Sequence, residues 1–272
     1  MTRPVRLGAV SYLNVRPLVF GLESRPDLVT LRFDVPSLCA RLLDEGTIDL
    51  GMVPSIAHVQ RPGDRIVPGV CIGSEGPVAS VALFTRRPLR DVRSIALDTS
   101  SRTSAALTRI LCARRFAITP TFIEHEPDLG AMLAKADAAL IIGDPALFVD
   151  PRAFGVEKID LGAAWTEMTG CPFVWAFWAG RPDAADGEVV SLLQDAADAG
   201  MAHTDAIAAE YCAGTPERTP LAQRYLRDHL RFRLDDRAAD GLRAYYREAA
   251  AIGVIPAPPV VEFFPARAPE DP

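Results

Sequence analysis

The sequence predicts an α/β protein, and three observations carry that expectation. Short apolar strands alternate with amphipathic helices through the first two-thirds of the chain, the pattern of sheets covered by helices on both faces. Polar clusters recur where those strands end, which is where open α/β sheets collect ligands. From about residue 184 to 253 the strand signal gives way to a helical one.

Val5–Val10 reads as the first strand, followed by the loop Ser11-Tyr12-Leu13-Asn14 and a helical segment from about Pro17. Ser37 suits the N-cap of a helix carrying Leu38, Leu42 and Leu43 and stopped by Gly46. Ile48–Val53 is a buried strand that delivers Pro54-Ser55. Val70–Ile72 and Ser80–Thr85 are further strands, separated by the turn-forming segment Gly73–Pro77. A second series starts at Ser94–Leu97 and runs through Asp98–Ser104 into a helix with Leu107, Ile110 and Leu111. Strands at Thr121–Ile123, Ala138–Ile142, Val156–Leu161 and Phe173–Ala179 follow, with helices at Leu129–Lys135 and around Trp165 between them. The helical part breaks near Gly214-Thr215-Pro216 and Asp235, and the proline-bearing tail from Pro256 reads as an extended strap. Mostly parallel sheets are expected.

The chain has 272 residues, enough for two domains of ordinary size, and 49% of them are apolar. With 29 basic against 35 acidic residues the net charge is −6, which argues against non-specific nucleic-acid binding. Small anions, held by a few local donors, are not excluded. Met1–Val10 lacks the apolar core of an export signal, and no stretch approaches the roughly 20 apolar residues of a membrane helix. The five dispersed cysteines suit reduced thiols, so a cytoplasmic location is expected. The four histidines lie far apart and His125-Glu126 has no second His after it, so no metal is expected.

Asp98-Thr99-Ser100-Ser101-Arg102-Thr103-Ser104 is the most informative stretch. Hydroxyls and free backbone amides at the opening turn of a helix make a seat for a carboxylate or phosphate. The plainer reading is an elaborate helix cap with nothing bound. Arg102 points either inward or to solvent. Asn14 can donate and accept, which suits an orientation-sensitive ligand group, or it satisfies loop carbonyls. Ser80 stands at a strand entrance with no His or Asp close in sequence to activate it. Gly143-Asp144 either lends an amide and a carboxylate to a cleft or caps a helix at Pro145. Trp165, Trp175 and Trp178 read as packing residues.

Taken together, SYLN-VRPL at 11–18, the run from Pro36 to Ser55, GPVASV at 76–81, DTSSRTSAAL at 98–107, AALIIGDPAL at 138–147 and DLGAAWTEMTGCPFVWAFWA at 160–179 resemble the chorismate dehydratase family of the futalosine route to menaquinone. The match is colinear over about 1–180. Cys171 stands where that family usually has Leu, and Pro145 where Ala is common; both changes are conservative in size. The resemblance implies a type II periplasmic-binding-protein-like fold, two lobes joined by two crossover strands, which Ser80–Thr85 and Phe173–Ala179 fit. Lobe one is then 1–85 plus 180–272, and lobe two 86–179.

It also implies that water is removed from chorismate, a dicarboxylate, without metal or organic cofactor. Asn14 and Ser80 then act at the reacting edge of the ring. Ser11, Ser55, Ser101, Arg102, Thr103, Ser104, Gly143 and Asp144 bind substrate. No His, Lys or Glu stands at an evident general-base position and Asp144, the one candidate, also suits a helix cap, so the substrate's own enolpyruvyl carboxylate is expected to take the C3 proton. The alternatives are the same-fold dihydroxynaphthoate synthase, a transporter's solute-binding protein, which calls for an export signal, and a regulator's effector domain, which calls for a helix-turn-helix. The partner expected is the small substrate alone, with neither nucleic acid nor membrane, the protein being a monomer or homodimer.

Overall fold

A computed structural model of the chain describes residues 3–34 and 36–265, apart from the side chains of residues 36, 37 and 40. In chain order the strands are β1 (Val5–Val10), β2 (Val29–Asp34), β3 (Leu50–Pro54), β4 (Arg65–Ile66), β5 (Ile72–Ser74), β6 (Val81–Thr85), β7 (Ser94–Asp98), β8 (Thr121–His125), β9 (Ala138–Ile142), β10 (Glu157–Asp160), β11 (Phe173–Gly180) and β12 (Glu262–Phe263). The helices are α1 (Pro36–Asp44), α2 (Arg102–Leu111), α3 (Leu129–Lys135), α4 (Gly143–Phe148), α5 (Leu161–Thr169), α6 (Gly187–Ala202), α7 (Thr204–Tyr211), α8 (Thr219–Arg224) and α9 (Asp236–Ala251).

The strands form two sheets, one ordered β12-β4-β11-β3-β1-β2 with β5 on β11, the other β10-β6-β9-β7-β8. The chain passes between them twice, from Ser74 to Val81 and from Thr169 to Phe173. β6 and β11 are the first strands after the two crossings, and each pairs wholly within the sheet it enters. Because it arrives from the other sheet, each runs against its new neighbours: β6 is antiparallel to β9 and β11 to β3. The sheets are therefore mixed rather than mostly parallel, half of the described pairings being antiparallel.

Alternation fixes the two faces of the second sheet. Val81 and Leu83 of β6, Ile95 and Leu97 of β7 and Leu140 of β9 belong to the main core. Their neighbours Ala82, Phe84, Ala96, Ala139 and Ile141 form a separate core with Leu129, Met132 and Leu133 of α3. Buried on both faces, these strands read as unbroken apolar runs, which is why the sequence shows them clearly. The exposed edge strand β2 keeps only Val29 buried and gives no such signal.

The helix expected from about Pro17 is instead a 3-10 turn, Leu13–Val19. It ends before Gly21, whose φ of 73° turns the chain toward β2. The helix expected after Ser37 spans Pro36–Asp44, and the proposed cap on the Ser37 side chain lies outside the described residues. Gly200 of α6 packs on the 3-10 turn so closely that an added Cβ would stand 2.0 Å from the Pro17 carbonyl oxygen. Gly200→Ala should therefore force helix and turn apart and cost about 1–3 kcal/mol, read as a lower urea midpoint. All five cysteines are unpaired, and no helix among the described residues is long and apolar enough to cross a membrane.

Candidate active site

The polar clusters foreseen at strand ends follow β1, β3, β7 and β9, two parallel pairs whose C-terminal ends face each other across the gap between the sheets. A cavity occupies that gap. Asn14, Ser80, Ser101, Thr103, Ser104 and Gly143 all line it, so six of the ten expected site residues come together from segments far apart in sequence. Tyr12, Ser100 and Trp175 complete its polar and aromatic wall, and Met52, Val78 and Leu230 supply apolar surface.

The wall around Ser101 is a helix terminus. Ser101 N-caps α2, its hydroxyl oxygen accepting the Ser104 amide at 3.2 Å and its proton going to the Ser104 hydroxyl at 2.8 Å. The first-turn amides of Arg102 and Thr103 have no acceptor among the described residues, and α2's dipole adds partial positive charge there. The Thr103 hydroxyl accepts the Ile56 amide at 3.2 Å, and its carbonyl accepts the Tyr245 hydroxyl at 3.0 Å, so α2 is tied to the first sheet's layer. Ser101→Ala should cost about 1 kcal/mol of stability through the lost cap, measurable by urea unfolding.

Across the cavity Ser80 is 1% exposed, and its hydroxyl lies 2.7 Å from the buried Tyr225 hydroxyl. The Asn14 amide borders the same phenol, and its buried Oδ1 has no partner among the described residues. Asn14, Tyr225 and Ser80 thus form one polar patch facing the helix terminus. Burial pushes the Tyr225 hydroxyl pKa up, so this patch holds its protons. Tyr12 lays its ring on Gly143, where an added Cβ would meet ring carbons at 3.1 Å. Burial and then the charge of Asp98 raise the Tyr12 pKa. Asp98 accepts the Ser100 amide at 2.8 Å on Oδ1, and burial pushes its carboxyl up.

Four expected residues stand elsewhere. Ser55 is fully buried and donates its hydroxyl to the Val174 carbonyl at 2.6 Å. Ser11 is exposed and takes part through its carbonyl, which accepts from Tyr211 at 3.2 Å. Arg102 reaches outward to Gln60 Oε1 at 3.1 Å. Asp144 does not cap α4 but sits inside its first turn, accepting the Leu13 amide at 3.3 Å on Oδ1 and the Tyr211 hydroxyl on Oδ2. A short strand-end residue can turn into the gap or back into its own loop, and spacing alone does not decide between them.

No Lys or Arg side chain lines the cavity. The half-buried Arg16 lies over the rings of Phe33 and Tyr211, and Lys158 is bonded to backbone carbonyls. The donors facing the cavity are therefore neutral hydroxyls, amides and a helix end. Among the described residues no three His, Cys, Asp or Glu side chains converge as a metal site. Trp165, Trp175 and Trp178 are all core residues, as expected, and Trp175 also faces the cavity while donating to Ser74 Oγ at 3.0 Å. Tyr12 and Ser100 lie inside motifs already visible in the sequence. Tyr225 lies in the helical part, where a buried aromatic carries no functional signal.

A family model described as menaquinone biosynthesis matches residues 5–251. A chorismate dehydratase of Thermus thermophilus is 30% identical over 273 residues, covering 94% of this chain and 98% of the relative. Another, from Campylobacter jejuni, is 29% identical over 178 residues, covering 62% and 64%. Among solved structures, a protein from Archaeoglobus fulgidus superposes with a TM-score of 0.73 at 17% identity, covering 93% of this chain and 99% of that one. The alkanesulfonate-binding protein SsuA from Xanthomonas axonopodis pv. citri, bound to MOPS, gives 0.70 at 16% identity and 96% of each chain. At such identities these two likenesses establish the fold alone, that of the periplasmic binding proteins.

Proposed function

Since the chain belongs to the menaquinone-biosynthesis family, we propose that it acts as a chorismate dehydratase, a hydro-lyase of the futalosine route working in the cytoplasm. The observation that carries this reading is the single cavity into which Asn14 and Ser80 project from one side and the Ser100–Ser104 helix end from the other. Chorismate carries two carboxylates. One is assigned to the α2 terminus, where the free amides of Arg102 and Thr103 and the hydroxyls of Thr103 and Ser104 supply donors, the Ser100 and Ser101 hydroxyls being committed to Asp98 and Ser104. The other, on the enolpyruvyl arm, is assigned to the Asn14–Ser80 patch with the ring edge.

The C3 proton passes to the enolpyruvyl carboxylate and from there to the departing C4 hydroxyl; the C3–H electron pair forms the last ring double bond as the C4–O bond breaks, water leaves, and the ring becomes 3-(1-carboxyvinyloxy)benzoate. Aromatisation drives the step, so orientation is the main task left to the protein. The scheme calls on no metal or organic cofactor. Asp144 supplies no base in it, because both its oxygens accept protein donors. Strand pairing supports drawing lobe one as 3–74 plus 173–265 and lobe two as 81–169, with the two crossings as hinges. Purified protein mixed with chorismate should give a new aromatic absorbance and a product lighter by one water. Chorismate left intact by folded protein would remove the assignment.

A further inference from the structure

Ser80 is delivered to the cavity by a strained backbone. Ala79, just before it, holds φ at 62°, in the left-handed region that side-chain-bearing residues seldom adopt. Such a conformation persists where the surroundings over-determine it, and such places concentrate at functional sites. Every backbone polar group from Val78 to Ser80 is engaged here. The Asp160 carboxylate accepts the Val78 amide at 3.0 Å and the Ala79 amide at 2.6 Å. The Lys158 ammonium donates to the Ala79 carbonyl at 2.7 Å and to the Ala146 carbonyl at 2.6 Å. The Ser80 amide closes onto the Val78 carbonyl at 2.7 Å, and the Ser80 carbonyl accepts the Gly143 amide at 2.7 Å.

The register explains how this clamp is built. Antiparallel pairing sets Lys158 opposite Phe84 and Asp160 opposite Ala82, so the end of β10 lies beside the entrance to β6. Asp160 also caps α5 through the Ala163 amide at 3.0 Å. Further along α5 the Thr166 hydroxyl accepts the Gly76 amide at 2.9 Å. At Gly162 an added Cβ would meet the Gly76 carbonyl oxygen at 2.8 Å, so only glycine lets helix and turn approach this closely. The 160–168 segment is therefore a cradle for 76–80, two stretches about 80 residues apart in sequence.

We propose that Asp160 and Lys158 are positioning residues for Ser80: they hold Ala79 in its left-handed conformation and so aim the Ser80 hydroxyl into the cavity. This rests on the reading of Ser80 as a group that acts on substrate. Ala79→Gly provides the discriminating background, because glycine adopts φ > 0 without steric cost and supplies locally what the clamp imposes.

Asp160→Asn puts an amide donor against backbone amides, and Lys158→Met removes both carbonyl contacts. Each variant is to be measured alone and combined with Ala79→Gly, with chorismate as the substrate. Asp160→Asn is expected to lower kcat about 30-fold and Lys158→Met about tenfold, with KM within about threefold of wild type, since misorientation acts on the reacting geometry. Ala79→Gly should return about fivefold of either loss by the same reasoning. A crystal structure of either variant should show Ala79 at negative φ and the Ser80 hydroxyl drawn away from Tyr225.

Rates unchanged in both single variants overturn the proposal. So does a loss that Ala79→Gly leaves untouched, or a 78–80 segment that keeps its conformation without the clamp. If wild-type protein leaves chorismate intact, the functional reading falls separately, and the crystal structures alone decide the clamp. Should Asp160→Asn fail to fold through its lost helix cap, Lys158→Met carries the test.

Discussion

Asn14→Asp is expected to reduce kcat/KM for chorismate about a thousandfold while the melting temperature stays within a degree or two of wild type, an effect that follows from charge. The substitution preserves shape and places a carboxylate in a cavity lined by no cationic side chain. Two like charges about 4 Å apart interact by about 4 kcal/mol at an effective dielectric constant near 20. That corresponds to a factor of about 10³ in rate or affinity. In the free protein the new carboxylate is tolerated, because the Tyr225 hydroxyl beside it can turn its proton toward an acceptor. The penalty therefore appears only with a dianionic ligand. Steady-state kinetics and a thermal melt on the same sample check both halves. A variant of near-normal rate would show that residue 14 does not meet the substrate's negative charge.

The sequence makes the strands of the second sheet legible because they are buried on both faces, and it makes the cavity legible because polar clusters follow strand ends. Asn14, Ser101, Thr103, Ser104 and Gly143 are reachable by that rule, whereas Ser80, at a strand entrance, is named only by the family resemblance. It fails where the side chain of a strand-end residue turns back into the fold. Ser55 satisfies a carbonyl of β11, and Asp144 reaches across to Leu13 and Tyr211, partners 131 and 67 residues away. Pairings that distant leave no local trace. Asp160 shows the same limit from the other side: in sequence it lies near the end of the strand expected over Val156–Leu161, and only the register of β10 on β6 shows that it grips Val78 and Ala79. β2 went unread for a simpler reason, since an edge strand with one buried residue carries almost no apolar period.

Asp144→Ala should raise KM for chorismate about 30-fold and leave the open form dominant in solution scattering, with kcat at saturating substrate reduced far less. Asp144 follows β9 in one sheet, whereas Leu13 follows β1 in the other and Tyr211 belongs to α7, which packs on the Leu13–Val19 turn. Its two bonds therefore join the lobes, and they grip both ends of the loop that carries Asn14, because Tyr211 also reaches the Ser11 carbonyl. Burial raises the Asp144 carboxyl pKa, and the hydrogen bond from Tyr211 draws it back. Alanine leaves the Leu13 amide unpartnered and the Tyr211 hydroxyl with the Ser11 carbonyl alone in the closed form, at about 1–3 kcal/mol in all after partial resolvation. In the proposed scheme, with the two crossings as hinges, water serves both groups once the lobes part, so the cost falls on closure rather than on folding. A shift of about 2 kcal/mol in that equilibrium is a factor of about 30 in apparent affinity. Tyr211→Phe keeps the Leu13 bond and should show a smaller effect in the same direction. If both variants bind and scatter as wild type does, closure is held by the contacts of Thr103 with Ile56 and Tyr245 instead.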